Sequence, residues 1–309
     1  MIKNVYFSIC IPVYNREETI GRTLKSIYSQ KYDSYEVLIV NDGSNDNTEL
    51  VIKNFIKNSK SKKFYYFYKK NGGKHSALNV GIEQSKGVFF IILDSDDMLY
   101  DNDSLGKLHE ICKRIENDNK YCGVMGKSKN LITNKNIDVP FKNTNRFSYI
   151  DFRYLLPLKG IMYNDCFEAN KTSIIKKYTY PEKQGIHFVP ESYIFDQIGL
   201  SYDLLCTNSV FQYKEYLDNG ITKNANFKRE NAAGFLYYYI LRLEKIIPNI
   251  KCNAVTKFKL LIISWYQYWM CVKYDRDNNG PRINKITILA MIVYLFLPML
   301  NYLYKTNKN

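Results

Sequence analysis

The chain has 309 residues, 44 Lys and Arg against 30 Asp and Glu, a formal charge of +14 and a hydrophobic share of 46 %. That length suits one large domain or a domain with an appendage, and nothing in it suggests repeats or low complexity. The basic excess favours a phosphate-rich partner, but the basic residues are spread along the chain, with one cluster at Lys57–Lys63. No zinc-finger spacing or nucleic-acid motif accompanies them, so nucleic acid is not expected as a partner.

Val5 to Val13 (VYFSICIPV) is an apolar run bounded by Pro12 and Asn15, the pattern of a buried strand. Asn15 with Glu18 three positions later predicts a capping box, and Ile20, Leu24 and Ile27 then recur at helical spacing. Tyr35 to Val40 (YEVLIV) reads as a second strand ending in Asn41-Asp42-Gly43-Ser44, a turn, with Asn45 or Asp46 placed to cap the next helix. Phe64 to Tyr68 predicts a third strand. It runs into Asn71-Gly72-Gly73-Lys74-His75, a loop that opens a helix carrying Ala77, Leu78 and Ile82. The fourth strand, Phe89 to Asp97 (FFIILDSDD), ends in three carboxylates within four positions.

Strands alternating with helices predict a parallel sheet covered on both faces, with ligands outside the carboxyl ends of its strands. Tyr14, Asp42, Gly72–Lys74 and Asp94–Asp97 all fall at those ends. Three close acids need a cation, and carboxylate oxygens suit a hard divalent metal such as Mg2+. The alternative is a polar loop of capping aspartates, with Asp97 capping the next segment. Gly72 and Gly73 allow close backbone approach, and Lys74 is placed to approach phosphates, or else is an ordinary exposed lysine. No histidine pair has ligand spacing, so His75, His109 and His187 are expected in surface or core roles.

The segments IPVYNREETIGRTLKSIYSQ, YEVLIVNDGSNDNT, NGGKHSALNVGIEQSKG and FFIILDSDD, in this order over about the first hundred residues, resemble the family 2 glycosyltransferases. The resemblance implies an α/β GT-A (Rossmann-like) fold, a mostly parallel sheet flanked by helices. By the same resemblance, Pro12, Val13 and Tyr14 line the nucleotide pocket and Asp42 contacts the base, although a turn residue at Asp42 and a packing aromatic at Tyr14 stay open. A carboxylate accepts the imide N–H of uracil, so a UDP-sugar is the implied donor. Asp94-Ser95-Asp96 matches the family's Asp-x-Asp motif, which implies Asp96 as the direct ligand of Mn2+ or Mg2+ and Asp94 as a contact to the ribose or to the ion's other ligands.

Sugar transfer also needs a base for the acceptor hydroxyl. Glu191, held after Pro190 between apolar neighbours, is the candidate, and the segment resembles the acceptor site of a bacterial subgroup. Many of those relatives carry an adjacent Glu-Asp pair there, whereas here Asp196 stands five residues on. Asp196 and Asp165 remain alternatives. Glu215 to Thr222 resembles that subgroup's site-closing segment, or is a turn around Asn219-Gly220.

From about Asn231 the character changes. Ala232–Ile247 and Val255–Val272 show helical spacing, and Ile286 to Tyr304 is a hydrophobic run flanked by Lys285, Lys305 and Lys308. A helix of that length measures roughly 28 Å. Three readings stand: a helix packed on the catalytic domain or in a homo-oligomer, a peripheral interfacial helix, or a true span. The division is therefore 1–225 for a nucleotide-sugar-binding catalytic domain and 226–309 for a helical C-terminal region. Seven cysteines without pairing or metal-ligand spacing fit a reducing, cytoplasmic setting, at the inner membrane face if the acceptor is lipid-linked. The N-terminus lacks a cleavage-site pattern and reads as a first strand rather than a signal peptide.

The resulting expectation is an inverting, metal-dependent hexosyl- or N-acetylhexosaminyltransferase acting on a cell-surface glycan or lipid-linked acceptor. The alternatives are a non-catalytic nucleotide- or glycan-binding module on the same fold, a sugar-nucleotide-forming enzyme, whose glycine-rich signature is absent, and a basic nucleic-acid binder.

Overall fold

The computed structural model describes residues 5–141, 146–163, 165–216, 224–284 and 286–296. Its first half alternates β1 (Phe7–Val13), α1 (Ile20–Tyr28), β2 (Tyr35–Asn41), α2 (Thr48–Ser59), β3 (Phe64–Tyr68), α3 (Lys74–Gln84) and β4 (Phe89–Ile92). Then come β5 (Met98–Leu99), α4 (Ser104–Lys113), β6 (Tyr121–Asn130), β7 (Arg146–Phe147), β8 (Phe167–Lys171), α5 (Thr172–Ile175), α6 (Ser192–Gly199) and β9 (Asp203–Lys214). The C-terminal part is helical: α7 (Phe227–Glu230), α8 (Ala232–Leu241), α9 (Ile247–Asn249), α10 (Ala254–Tyr274) and α11 (Ile288–Leu295).

These strands form one sheet in the order β3-β2-β1-β4-β8-β6-β9-β5, with β7 paired to β9. β1, β2, β3 and β4 are mutually parallel, as expected of strands joined by helices. Beyond β4 the sheet is mixed: β8 runs antiparallel to both β4 and β6, and β9 lies parallel to β6. Every residue of β1 and β2 is buried, because helices cover both faces, which is why these strands read as continuous apolar runs rather than alternating ones.

The capping box expected at Asn15 does not form. The helix starts at Ile20, with Thr19 at its N-cap. Asn15 instead adopts φ +50°, accepts from Asn45 N and donates its own N–H to Ser44 Oγ, so it ties the end of β1 to the loop after β2. A long-range tie has displaced a local one. Asp46 does take up the first N–H of α2, from Thr48, at 3.0 Å.

α8 crosses the sheet domain closely. A Cβ on Gly234 would stand 1.6 Å from the Phe188 carbonyl oxygen, so only glycine permits α8 to lie against the loop that carries Glu191. Ile246, Ile247, Ile250 and Leu260 bury themselves with Ile150 and Tyr154 of the sheet domain. The C-terminal helices thus brace the loop that carries Glu191 and the Ile150–Tyr154 segment.

Of the hydrophobic run at 286–304, residues 297–304 lie outside the described residues, as do Lys285, Lys305 and Lys308. The described part forms α11, which packs Ala290 and Val293 against α10 and accepts at the Ala290 carbonyl from Trp269 Nε1. Its other face, with Ile288, Met291, Ile292 and Leu295, is exposed. Among the described residues no helix is long and apolar enough to cross a membrane.

Candidate functional site

β1, β2 and β4 end side by side. Their carboxyl ends open on a cleft of about 810 Å³ lined by Pro12, Val13, Tyr14, Asp42, Gly73 and Lys74, and equally by Asp94, Ser95, Asp96 and Glu191. All ten residues singled out in the sequence therefore meet at one site. The volume is that of an ordinary ligand cleft. Tyr14 is exposed, so it is not a core aromatic.

The Asp94–Asp97 turn is held from below by α1. Thr19 and Thr23 donate their hydroxyls to the Ser95 carbonyl, Thr23 also to the Asp97 carbonyl at 2.7 Å, and Arg22 donates to the Asp96 carbonyl at 3.0 Å. Backbone acceptors fixed in this way leave the carboxylates little freedom to drift.

Each acid has a different setting. Asp94 pairs with Lys74 Nζ at 2.5 Å and Lys214 Nζ at 3.6 Å. Burial opposes its ionisation, but the two ammonium groups prevail and hold its carboxyl well below the usual range. Asp97 is buried and accepts from Lys214 Nζ at 2.9 Å and from Glu215 N, so it fastens the end of β9 and caps no helix. Asp96 is different: its one ion pair among the described residues is a distant one, 4.0 Å from Arg16 Nε. Burial, then the charge of Asp94, raises its carboxyl above the usual range. A carboxylate whose charge is unfavourable for want of a close cation fits a divalent ion as an added partner. Among the described residues no group of three or more His, Cys, Asp or Glu is placed to hold a metal.

Lys74, first residue of α3, reaches Asp94 at 2.5 Å and Glu191 Oε1 at 2.6 Å. Burial works against its charge, but these two carboxylates hold the ammonium well above its ordinary pKa. One cation therefore joins the Asp-x-Asp segment to the candidate base, which stands 97 positions further along the chain from Asp94. The helix N-terminus behind Lys74 adds positive potential on the same side.

Asp42 is almost fully buried. Oδ1 accepts from Lys69 Nζ at 2.7 Å and from Gly72 N at 3.0 Å, and Oδ2 accepts from Gly73 N at 2.7 Å. It organises the glycine loop. Gly73 has φ +90°, and a Cβ there would stand 1.8 Å from the His187 carbonyl oxygen.

Asp196 faces away from this chemistry. It is fully buried and accepts from Arg153 at 3.1 Å, from Tyr238 at 3.0 Å and from Tyr154. Asp165 lines the cleft and accepts from Tyr216. Of the segment expected to close the site, Glu215 and Tyr216 line the cleft, Glu215 pairing with Arg22, whereas 217–222 lie outside the described residues.

Several cleft residues escaped the sequence reading. Arg153 and Lys214 supply positive charge from distant segments, and His75, which is buried, and His187, which is exposed, also line the cleft. A smaller polar cavity of about 230 Å³ adjoins the cleft, lined by Arg153, Glu168, Asn170 and Gln212 among others. Burial pushes the Glu168 carboxyl up to about 7, against the pull of Arg153 and a 2.8 Å hydrogen bond from Tyr149.

A sheet parallel over its first four strands, with an acid turn and a glycine loop at their carboxyl ends, is the GT-A glycosyltransferase fold. TarS of S. aureus (residues 1–349, in complex with UDP-GlcNAc) shares it at a TM-score of 0.62 with 17 % identity, over 89 % of this chain and 74 % of that one. So does the mannosyltransferase PcManGT from Pyrobaculum calidifontis, in complex with GDP-Man and Mn2+, at 0.57 with 16 % identity, over 96 % and 81 %. The profile of glycosyl transferase family 2 matches residues 8–178, more than half of the chain, and the chain belongs to that family. A glycosyltransferase of Rickettsia bellii (strain RML369-C) is 38 % identical over 119 residues, 38 % of this chain and 16 % of that protein. The poly-beta-1,6-N-acetyl-D-glucosamine synthase of Staphylococcus epidermidis (strain ATCC 35984) is 39 % identical over 95 residues, 31 % of this chain and 23 % of that protein. The matched stretch thus spans less than a quarter of either curated relative.

Proposed function

We propose that the chain moves one hexosyl or N-acetylhexosaminyl unit, with inversion, from a UDP-sugar to a hydroxyl of a cell-surface glycan or lipid-linked acceptor. The observation that carries this reading is the Lys74 ammonium held between Asp94 and Glu191, because it sets a candidate base beside the donor acids. Glu191 takes the proton of the acceptor hydroxyl. The acceptor oxygen forms its bond to the anomeric carbon as the bond from that carbon to the diphosphate oxygen breaks, and UDP leaves carrying the electron pair. Lys74 sits where that leaving charge develops. Asp96 would hold one divalent ion, Mn2+ or Mg2+, which when bound spreads the charge of the leaving diphosphate. Pro12, Val13, Tyr14, Asp42, Gly73 and Ser95 form the donor side.

Donor identity is supported by the TarS complex with UDP-GlcNAc, and use of a divalent metal by the PcManGT complex with Mn2+. We take residues 1–225 as the catalytic domain and 226–309 as a helical region that buttresses the Glu191 loop and touches the inner face of the cell membrane through the exposed side of α11. Seven free cysteines support a reducing, cytoplasmic setting.

The test is a panel of UDP-hexoses and UDP-N-acetylhexosamines, assayed for UDP release with Mn2+ or Mg2+ and again after chelation. At least one donor should release UDP, and chelation should stop it. UDP binding with no turnover of any donor would favour a non-catalytic binding module.

A further inference from the structure

His75 is 1 % exposed, and neither of its ring nitrogens has a hydrogen-bond partner among the described residues. Leaving a buried polar group unmade costs about 1–3 kcal/mol, so such a group calls for a reason. The residue lines the cleft as the second residue of α3, next to Lys74, yet the two side chains serve different ends of the site. Lys74 reaches Asp94 and Glu191. The titratable groups that act on His75 are Glu182, Asp42, Lys69 and His187. The ring also meets Tyr180 edge-on, with centroids 6.5 Å apart.

Burial lowers the imidazole pKa to about 4, so the ring is neutral at pH 7 and offers one N–H donor and one acceptor nitrogen. Either nitrogen can meet one group of the uracil edge, the N–H donating to a carbonyl or the bare nitrogen accepting the imide N–H. Asp42, by contrast, already accepts three hydrogen bonds from the segment after β3, on both oxygens. We propose that His75 is a specificity-determining residue that hydrogen-bonds the uracil edge of the donor nucleotide, a task which Asp42, engaged by Lys69 and the Gly72–Gly73 amides, does not carry alone. This rests on the UDP-sugar reading above.

The test is calorimetric titration of the full chain with UDP and with inorganic pyrophosphate, for the native protein, His75→Phe and His75→Gln. Phe keeps the packing against Tyr180 and removes both nitrogens. In H75F the dissociation constant for UDP should rise about tenfold or more, that for pyrophosphate should stay within twofold, and the ligand-free unfolding temperature should be equal or higher. H75Q should recover part of the UDP affinity. Unchanged UDP affinity in H75F, equal losses for UDP and pyrophosphate, or a lower ligand-free unfolding temperature would each overturn the inference. A native protein that binds no UDP would instead remove the UDP-sugar reading itself.

Discussion

Replacing Asp196 by Asn separates a structural acid from a catalytic one. The carboxylate is fully buried, and three donors converge on it: the Arg153 guanidinium, the Tyr238 hydroxyl and the Tyr154 hydroxyl. Asn offers one acceptor oxygen, and its NH2 group would face a donor. The guanidinium, packed over the rings of Tyr149 and Phe195, loses its buried counter-charge. Removing one partner of a buried ion pair costs about 3–5 kcal/mol. At about 2–3 °C per kcal/mol for a chain of this size, the unfolding midpoint should fall by roughly 6–15 °C. The assay is thermal and urea unfolding, followed by UDP release measured well below the lowered midpoint. There the folded variant should keep turnover within about tenfold of the native protein, because Asp196 touches no reacting group. A loss of stability under about 1 kcal/mol would refute the structural assignment. A stable but inactive variant would return Asp196 to the role of base.

Other expectations follow from single sites. The Glu168 carboxyl is raised from 4.5 to about 7 by burial, so its protonated form stabilises the fold fully below pH 4.5, and this contribution is lost as pH rises through about 7. Glu168→Gln should therefore match the native protein near pH 5 and exceed it by about 2–3 kcal/mol at pH 8 in urea unfolding; equal differences at both values would contradict the assignment. Gly73→Ala must displace either the glycine loop or the His187 carbonyl and also forces an L side chain to positive φ, so UDP affinity should drop at least tenfold by calorimetry. Double replacement of Ile288 and Leu295 by Glu charges the exposed face of α11 while sparing Ala290 and Val293. It should abolish sedimentation with phosphatidylglycerol vesicles and leave UDP release intact, whereas unchanged sedimentation would move the membrane contact elsewhere.

The first half of the fold is legible because its strands are short apolar runs with helical periodicity between them. Phe64–Tyr68 is a strand with the expected bounds, and Tyr35–Val40 extends by one residue. Asn15 misleads because the local pattern of a capping box competes with ties to Ser44 and Asn45 that only the folded chain provides. Beyond β4 the sheet is mixed and carries no repeating unit, so Arg153 and Lys214 are brought to the cleft, and Glu168 to the smaller cavity beside it, without any local signature. Lys214 meets Asp97 across 117 residues. His75 was visible in a motif, yet only its burial without partners separates it from an ordinary helix residue.

The most direct measurement compares UDP release from the preferred UDP-sugar, with Mn2+ and acceptor present, by the native chain, Asp96→Asn and Glu191→Gln. Turnover should fall at least a hundredfold in both, E191Q should still bind UDP, and unfolding midpoints should stay within a few degrees. Undiminished turnover in both variants would contradict a transfer reaction organised by Asp96 and Glu191 across the Lys74 ammonium.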